Sequence, residues 1–236
     1  MVIPERLYRE MGREYAIRVL KQNIISWELL PGTMLSENEI ASALGLSRTP
    51  VREAFIELSK NKLLEILPQR GSCVTLVDLN LASDAMFIRC ALESAVIRDL
   101  CKSEKELDWS ALEHSIQLQN ECLENQFSIA AWINLDNEFH RLLFELSNRM
   151  FVYDIMSQAT IHLDRVRNTQ RDSGEFDSVN LSEHEEILQK LKTHDDSNIE
   201  ALLLRHVNKF QRRDTFPLHN HEYYVQFNAS KNGAEK

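Results

Sequence analysis

Four residues in the C-terminal two thirds of this 236-residue chain are of metal-binding types and sit where side chains should be buried. In 131-AWINLDNEFHRLLFEL-146, at about 100° per residue, Trp132, Leu135, Phe139, Leu143 and Leu146 share one helix face, a stripe that should meet a core. Asp136 projects into the middle of that stripe, and His140 lies at its edge one turn on. A carboxylate buried without a partner costs several kcal/mol, so something in the core must take its charge. Two further segments aim imidazoles inward: His184 shares a stripe with Ile187, Leu188 and Leu191, and His206 shares one with Ile199, Leu202, Leu203 and Phe210. A single histidine on an apolar face is usually a core residue bonded to backbone. Three segments converging with the same donor chemistry point instead to one ion held by Asp136, His140, His184 and His206, with Zn or Ni favoured and Mn or Fe also suited to these donors.

The elements that must position this set are helical. From Leu81 to about Arg213 no strand signal appears, and helices are expected at roughly 81–101, 107–124, 128–148, 150–170, 179–194 and 197–213, an all-α six-helix bundle. Arg89, beside Leu92 and Val96 on its helix, would bring a fork of donors suited to a carboxylate, or would pair with Glu93; periodicity leaves both open. His162, in line with Phe151, Ile155 and Val166, reads as a core histidine or a further polar wall group. Cys73, Cys90, Cys101 and Cys122 are scattered, with no C-x-x-C pair, and read as buried free thiols.

The first third has a different character. The net charge of -9 argues against nucleic acid, yet residues 1–77 hold ten Lys/Arg and nine Asp/Glu, so the acid lies downstream. A helix is expected from Pro4 to about Ile25. A second opens at 36-SENE with Ser36 and Glu39 as a capping box, and Gly45 closes it. A third starts at 47-SRTP with Pro50 in its first turn. Two short apolar runs, 63-LLEIL-67 and 73-CVTLV-77, flank the turn residues PQRGS. Helix, helix, turn, helix, hairpin is the order of a winged helix-turn-helix. In that arrangement Arg48, Thr49 and Arg52 would meet base edges, while Gln69 and Arg70 at the hairpin tip would reach the minor groove or a phosphate.

The run 35-LSENEIASALGLSRTPVREAFIELSKNKLLEILPQRGSCV-74 resembles the DNA-binding domain of the GntR family of bacterial transcription regulators. The resemblance implies DNA contacts at Arg48, Thr49 and Arg52, and a close approach of the wing backbone to the duplex at Gly71. Asn38 stands where some members carry an operator-contacting Arg. Lys62 replaces a Gly before the wing, which leaves Asn61 to take the left-handed turn. Downstream, Asp-x-x-x-His, then His184 in SEHEEIL, then His206 in RHV resemble the metal-binding pattern of the FCD domain of the FadR subfamily, and Arg89 with Glu93 match its first helix. Six helices rather than seven are similar to the VanR-type branch.

The expected architecture is therefore a winged helix-turn-helix over 1–77, an FCD-type metal- and effector-binding domain over 78–224, and a disordered tail over 225–236. The expected function is DNA-binding transcription regulation, with a repressor favoured. Its partners would be a palindromic operator bound as a homodimer and a small organic acid bridging the metal and Arg89. The chain is expected to be no enzyme; the alternatives are a helical metallohydrolase that the same Asp/His set would serve, or a DNA-binding regulator whose metal is purely structural or itself the signal. No signal peptide or apolar run near 18 residues is present, so a soluble cytoplasmic protein is expected.

Overall fold

A computed structural model of the chain describes residues 1–125, 129–168, 174–207 and 223–225. Two compact units form, residues 81–217, and residues 1–80 together with 218–236.

In the first unit, α1 (Gly12–Ile25), α2 (Glu37–Leu44) and α3 (Arg48–Lys60) pack around Val19, Leu20, Ile24, Val51, Phe55 and Leu58, all buried. Gly45 ends α2 in the left-handed region that favours glycine. A three-stranded antiparallel sheet follows, ordered β1 (Met34–Leu35), β3 (Gly71–Val74), β2 (Leu64–Leu67), with Leu64 opposite Val74 and Leu67 opposite Gly71. Strand β3 thus lies within 71–74 rather than 73–77.

Several local expectations fail for identifiable reasons. Pro4–Met11 is not helix: the chain lies along α1 as an arm whose polar groups are taken by α1 side chains. Ser36 caps α2 by position, yet its hydroxyl makes no cap bond. Lys62, not Asn61, takes the left-handed conformation, with φ 55° against -82°. A residue chosen by sequence for the αL position was displaced by its neighbour, because the turn geometry and not the side chain sets which residue must adopt it.

Residues 223–225 return to this first unit, whereas the sequence boundary had placed everything up to 224 in the second domain. Val77 donates to the Tyr223 carbonyl at 2.8 Å and accepts from the Val225 amide at 2.9 Å. Tyr223 sets an edge against the Trp27 ring, centroids 5.7 Å apart, with Tyr224 tilted beside it. Of the tail expected to be disordered, 226–236 lie outside the described residues.

The second unit is built from α4 (Leu79–Cys101), α5 (Ser110–Glu124), α6 (Ile129–Leu146), α7 (Met150–Arg167), α8 (Gly174–Lys192) and α9 (Ile199–Val207). These are six helices among the described residues; the stretch 208–213, expected to extend the last of them, lies outside. Ile97, Leu112, Phe139, Leu143, Ile187, Leu191 and Leu203 form one core drawn from α4, α5, α6, α8 and α9. Each fully buried aliphatic or aromatic side chain of this kind contributes about 1.5–3 kcal/mol, which is what allows the same helices to carry a polar cluster in their midst.

Candidate DNA-reading surface and metal centre

Arg48, Thr49 and Arg52 all stand exposed on the first turns of α3. One cleft is lined by Asn38 and Arg48 on one side and by Gln69, Arg70 and Gly71 at the wing tip on the other. Helix start and wing, far apart in sequence, therefore present one surface. Arg48 Nε donates to Glu37 at 2.6 Å, an exposed pair that a phosphate or guanine would displace at little cost. Gly71 is required by the fold itself: its φ is +98°, and a Cβ there would stand 3.1 Å from the Leu35 carbonyl oxygen.

In the helical unit, Asp136 and His140 come from α6, His184 from α8 and His206 from α9, and all four are buried. The three Nε2 atoms converge, with separations of 3.0 Å for His140 to His206, 3.2 Å for His184 to His140 and 3.3 Å for His184 to His206. Asp136 Oδ1 lies 3.5, 3.8 and 4.0 Å from Nε2 of His184, His206 and His140. Among the described residues it has no hydrogen-bond partner.

The far side of each ring faces an acceptor. His184 Nδ1 is 2.6 Å from Gln119 Oε1, and His206 Nδ1 is 3.0 Å from Glu183 Oε2. Glu93 Oε2 stands 2.9 Å from His140 Nδ1, set off the ideal N–H line. An oxygen opposite Nδ1 selects the tautomer that keeps its proton there and turns the Nε2 lone pair inward. Burial, reinforced by His206, holds His184 well below the usual imidazole pKa. Burial likewise lowers His206 to about 4 against the pull of Glu183. At neutral pH both rings are therefore neutral, the form that binds a metal.

Asp136 is charged for a reason the sequence did not supply. Burial alone would push its carboxyl up, but Arg167 and Arg89 hold it well below the usual carboxylate range. Arg167 Nη2 donates to Oδ2 at 2.7 Å and Arg89 Nη2 at 3.3 Å. The expectation that a bound ion takes this charge is thus incomplete: two arginines already share it through Oδ2. What they leave is Oδ1, directed at three imidazole lone pairs. Donors about 2.0–2.1 Å from one ion, at angles between a right angle and the tetrahedral value, stand roughly 2.9–3.4 Å apart. The nitrogen separations fall within that range, and Asp136 Oδ1, at 3.5–4.0 Å, stands just beyond it, so the three imidazoles fit a divalent ion and the carboxylate oxygen would close in by a few tenths of an ångström.

Arg89 faces this cluster, as its helical position allowed, but its Nε donates to Glu93 at 2.9 Å while Nη2 holds Asp136. His162 is buried, but the stripe used to place it does not hold, since Phe151 and Ile155 are exposed. Sequence reasoning missed Gln119, Glu183 and Arg167. Glu183 adjoins His184 in the chain yet serves His206, and Gln119 sits on a helix read only for its apolar spacing. We expect Gln119→Leu, which keeps the packing volume but removes the acceptor, to weaken metal binding about 10–100-fold. Competition with a chromophoric chelator measures this, and unchanged affinity would remove Gln119 from the site.

Comparison with known proteins covers both units. Residues 13–74 match the family model described as bacterial regulatory proteins, gntR family, and residues 84–209 match the FCD domain. The chain is 32% identical over 192 residues to the HTH-type transcriptional repressor RspR of Escherichia coli K12, covering 81% of this chain and 84% of that one. It is 25% identical over 223 residues to the repressor NanR of E. coli ATCC 8739, covering 86% and 84%. In fold it is similar to E. coli McbR/YncC, with a TM-score of 0.71 at 19% identity over 84% of this chain and 94% of that one. A GntR regulator from Rhodococcus sp. RHA1 gives 0.68 at 24% identity over the same shares. RspR and NanR are transcriptional repressors, not enzymes, by their names, and no described helix is long and apolar enough to cross a membrane. The chain belongs to the GntR family of bacterial transcription regulators, as a DNA-binding protein of the FadR-like subfamily with a C-terminal FCD domain.

Proposed function

We propose that this chain is an acid-responsive repressor, with residues 1–77 reading DNA and the helical domain after residue 78 sensing the ligand. Arg48, Thr49 and Arg52 enter the major groove of a palindromic operator, flanked by Gln69, Arg70 and Gly71 of the wing. The protein acts in the cytoplasm as a homodimer, since two half-sites related by symmetry multiply specificity. Asp136, His140, His184 and His206 hold a divalent ion, Zn or Ni before Mn or Fe. The observation that carries this reading is the convergence of three imidazole Nε2 atoms, two of them hydrogen-bonded at Nδ1, on an Asp136 oxygen without a partner among the described residues. The repressors RspR and NanR among the relatives favour repression.

The bound ion supplies a positive centre to which a small carboxylate can coordinate. Arg89 spends Nε on Glu93 and Nη2 on Asp136, so its second Nη is the donor it can offer that carboxylate. Such an acid shifts operator binding only if it prefers one conformation of the regulator. The test is operator binding by the metal-loaded protein across a panel of hydroxy, keto and dicarboxylic acids, repeated after chelation. At least one acid should change operator affinity, and chelation should erase that change. If no acid acts but chelation alone releases DNA, the ion is itself the signal; if neither acts, the sensing half of the proposal fails.

A further inference from the structure

The arm that replaces the expected first turns of helix is held in place along its length. Asn23 is buried and bonds both ways to Val2, accepting from its amide at 2.6 Å and donating to its carbonyl at 2.7 Å. Tyr15 Oη donates to the Pro4 carbonyl at 3.0 Å, and Arg18 donates to the Glu5 carbonyl at 3.0 Å. The arm then reverses in a β-turn closed by Glu10 N–H to the Leu7 carbonyl at 3.1 Å, with Arg6 Nε capping the Glu10 carbonyl at 2.7 Å. So much anchoring fixes the turn in space, and its two central residues are Tyr8 and Arg9.

Among the described residues, nothing uses those two side chains beyond each other. Tyr8 is 88% exposed, and the Arg9 guanidinium lies 5.1 Å over its ring. Arg9 sits at φ 63°, the left-handed region that is strained for a non-glycine residue. Strain of this kind persists where the surroundings impose it, and it is a reason to look for a function. Glycine would relieve it at once, yet the position holds a cation on an exposed aromatic platform.

The place of the turn says what it faces. Two residues on, at Gly12, a side chain would meet Leu46 at 3.2 Å and Pro50 at 3.6 Å, and these two flank the first residues of α3. The arm therefore enters α1 beside the end of the recognition helix that carries Arg48 and Thr49. The acid that closes the turn is already paired with a cation. Glu10 is bound by both Nε and Nη2 of Arg18, at 2.7 and 2.8 Å, and Glu14 accepts from the Met11 amide at 3.0 Å. Arginine and tyrosine are among the side chains that bind DNA phosphates and so set register without reading sequence.

We propose that the Leu7–Glu10 turn is a second DNA-contacting element, in which Arg9 and Tyr8 grip a backbone phosphate of the duplex beside the recognition helix. The contact needs neither the metal nor the acid, so it stands or falls apart from the sensing proposal. Its test is fluorescence anisotropy over a NaCl series, using a duplex selected by the wild-type protein from a random pool and a shuffled duplex of equal length. Arg9→Gly relaxes the backbone, so its melting temperature should not fall. It should nonetheless weaken binding several-fold on both duplexes and lower the slope of log K against log salt by about 1 per arm engaged. Arg9→Lys, which keeps the charge, should retain most of the slope. Wild-type affinity and slope in Arg9→Gly would overturn the proposal, and so would a loss confined to the selected duplex, because a base contact and not a phosphate contact would then be at stake.

Discussion

Replacing His184 by alanine is expected to take bound metal from about one ion per chain to almost none. His184 is fully buried and central to the set: its Nε2 is within 3.3 Å of both other imidazole nitrogens, and its Nδ1 is held at 2.6 Å by Gln119. Loss of an acceptor behind a ligand costs about 10–100-fold in affinity, and loss of the ligand itself should exceed that. Mass spectrometry on protein purified without chelator or a histidine tag gives the stoichiometry. The wild type should also melt at a lower temperature after chelation, whereas His184→Ala should show no such difference, because an ion that binds only the folded state stabilises it by mass action. Equal metal in mutant and wild type would place the ion elsewhere.

Asp136→Asn should be the more damaging change for the fold itself. Asparagine keeps the shape but withdraws the negative charge that faces Arg167 at 2.7 Å and Arg89 at 3.3 Å in a site closed to water. Breaking a buried pair by removing one partner costs about 3–5 kcal/mol, because the remaining charge is left without compensation. Glu93 still holds Arg89 at 2.9 Å, and Asp164 lies 3.4 Å from Arg167, so the lower end of that range is expected. Urea unfolding of chelator-treated protein isolates this effect from metal binding, and should show a reduced midpoint with unchanged slope. A midpoint equal to that of the wild type would mean that the arginines do not depend on Asp136.

Much of this protein was legible without coordinates because its signals are local and periodic. The capping and turn residues around 35–74, read with the GntR resemblance, located the DNA-binding module. Helical periodicity placed Asp136, His140, His184 and His206 on inward faces, and the structure brings all four within 4.8 Å. Periodicity misplaces the arm at Pro4–Met11 for the same reason: Leu7 and Met11 fall at helical spacing, yet both are exposed, and the arm is held by α1 side chains, with Asn23, Tyr15 and Arg18 bonded to the backbone of Val2, Pro4 and Glu5. Periodicity reports only which side chains would share a face if a helix formed.

The sequence by itself determined the donor types, the faces that carry them and the helix-turn-helix reader, since each depends on residues within a few turns of one another. Only the tertiary structure decided what stands behind those donors: Gln119 behind His184, Glu183 behind His206 and Glu93 near His140, with Arg89 and Arg167 on one Asp136 oxygen while the other is left for the imidazoles. It also decided that Tyr8 and Arg9 stand ready beside the recognition helix. The histidines meet one another across 22 to 66 residues of chain. Their partners are fixed by how the helices pack, and packing depends on the shape of the whole core rather than on spacing along any one helix.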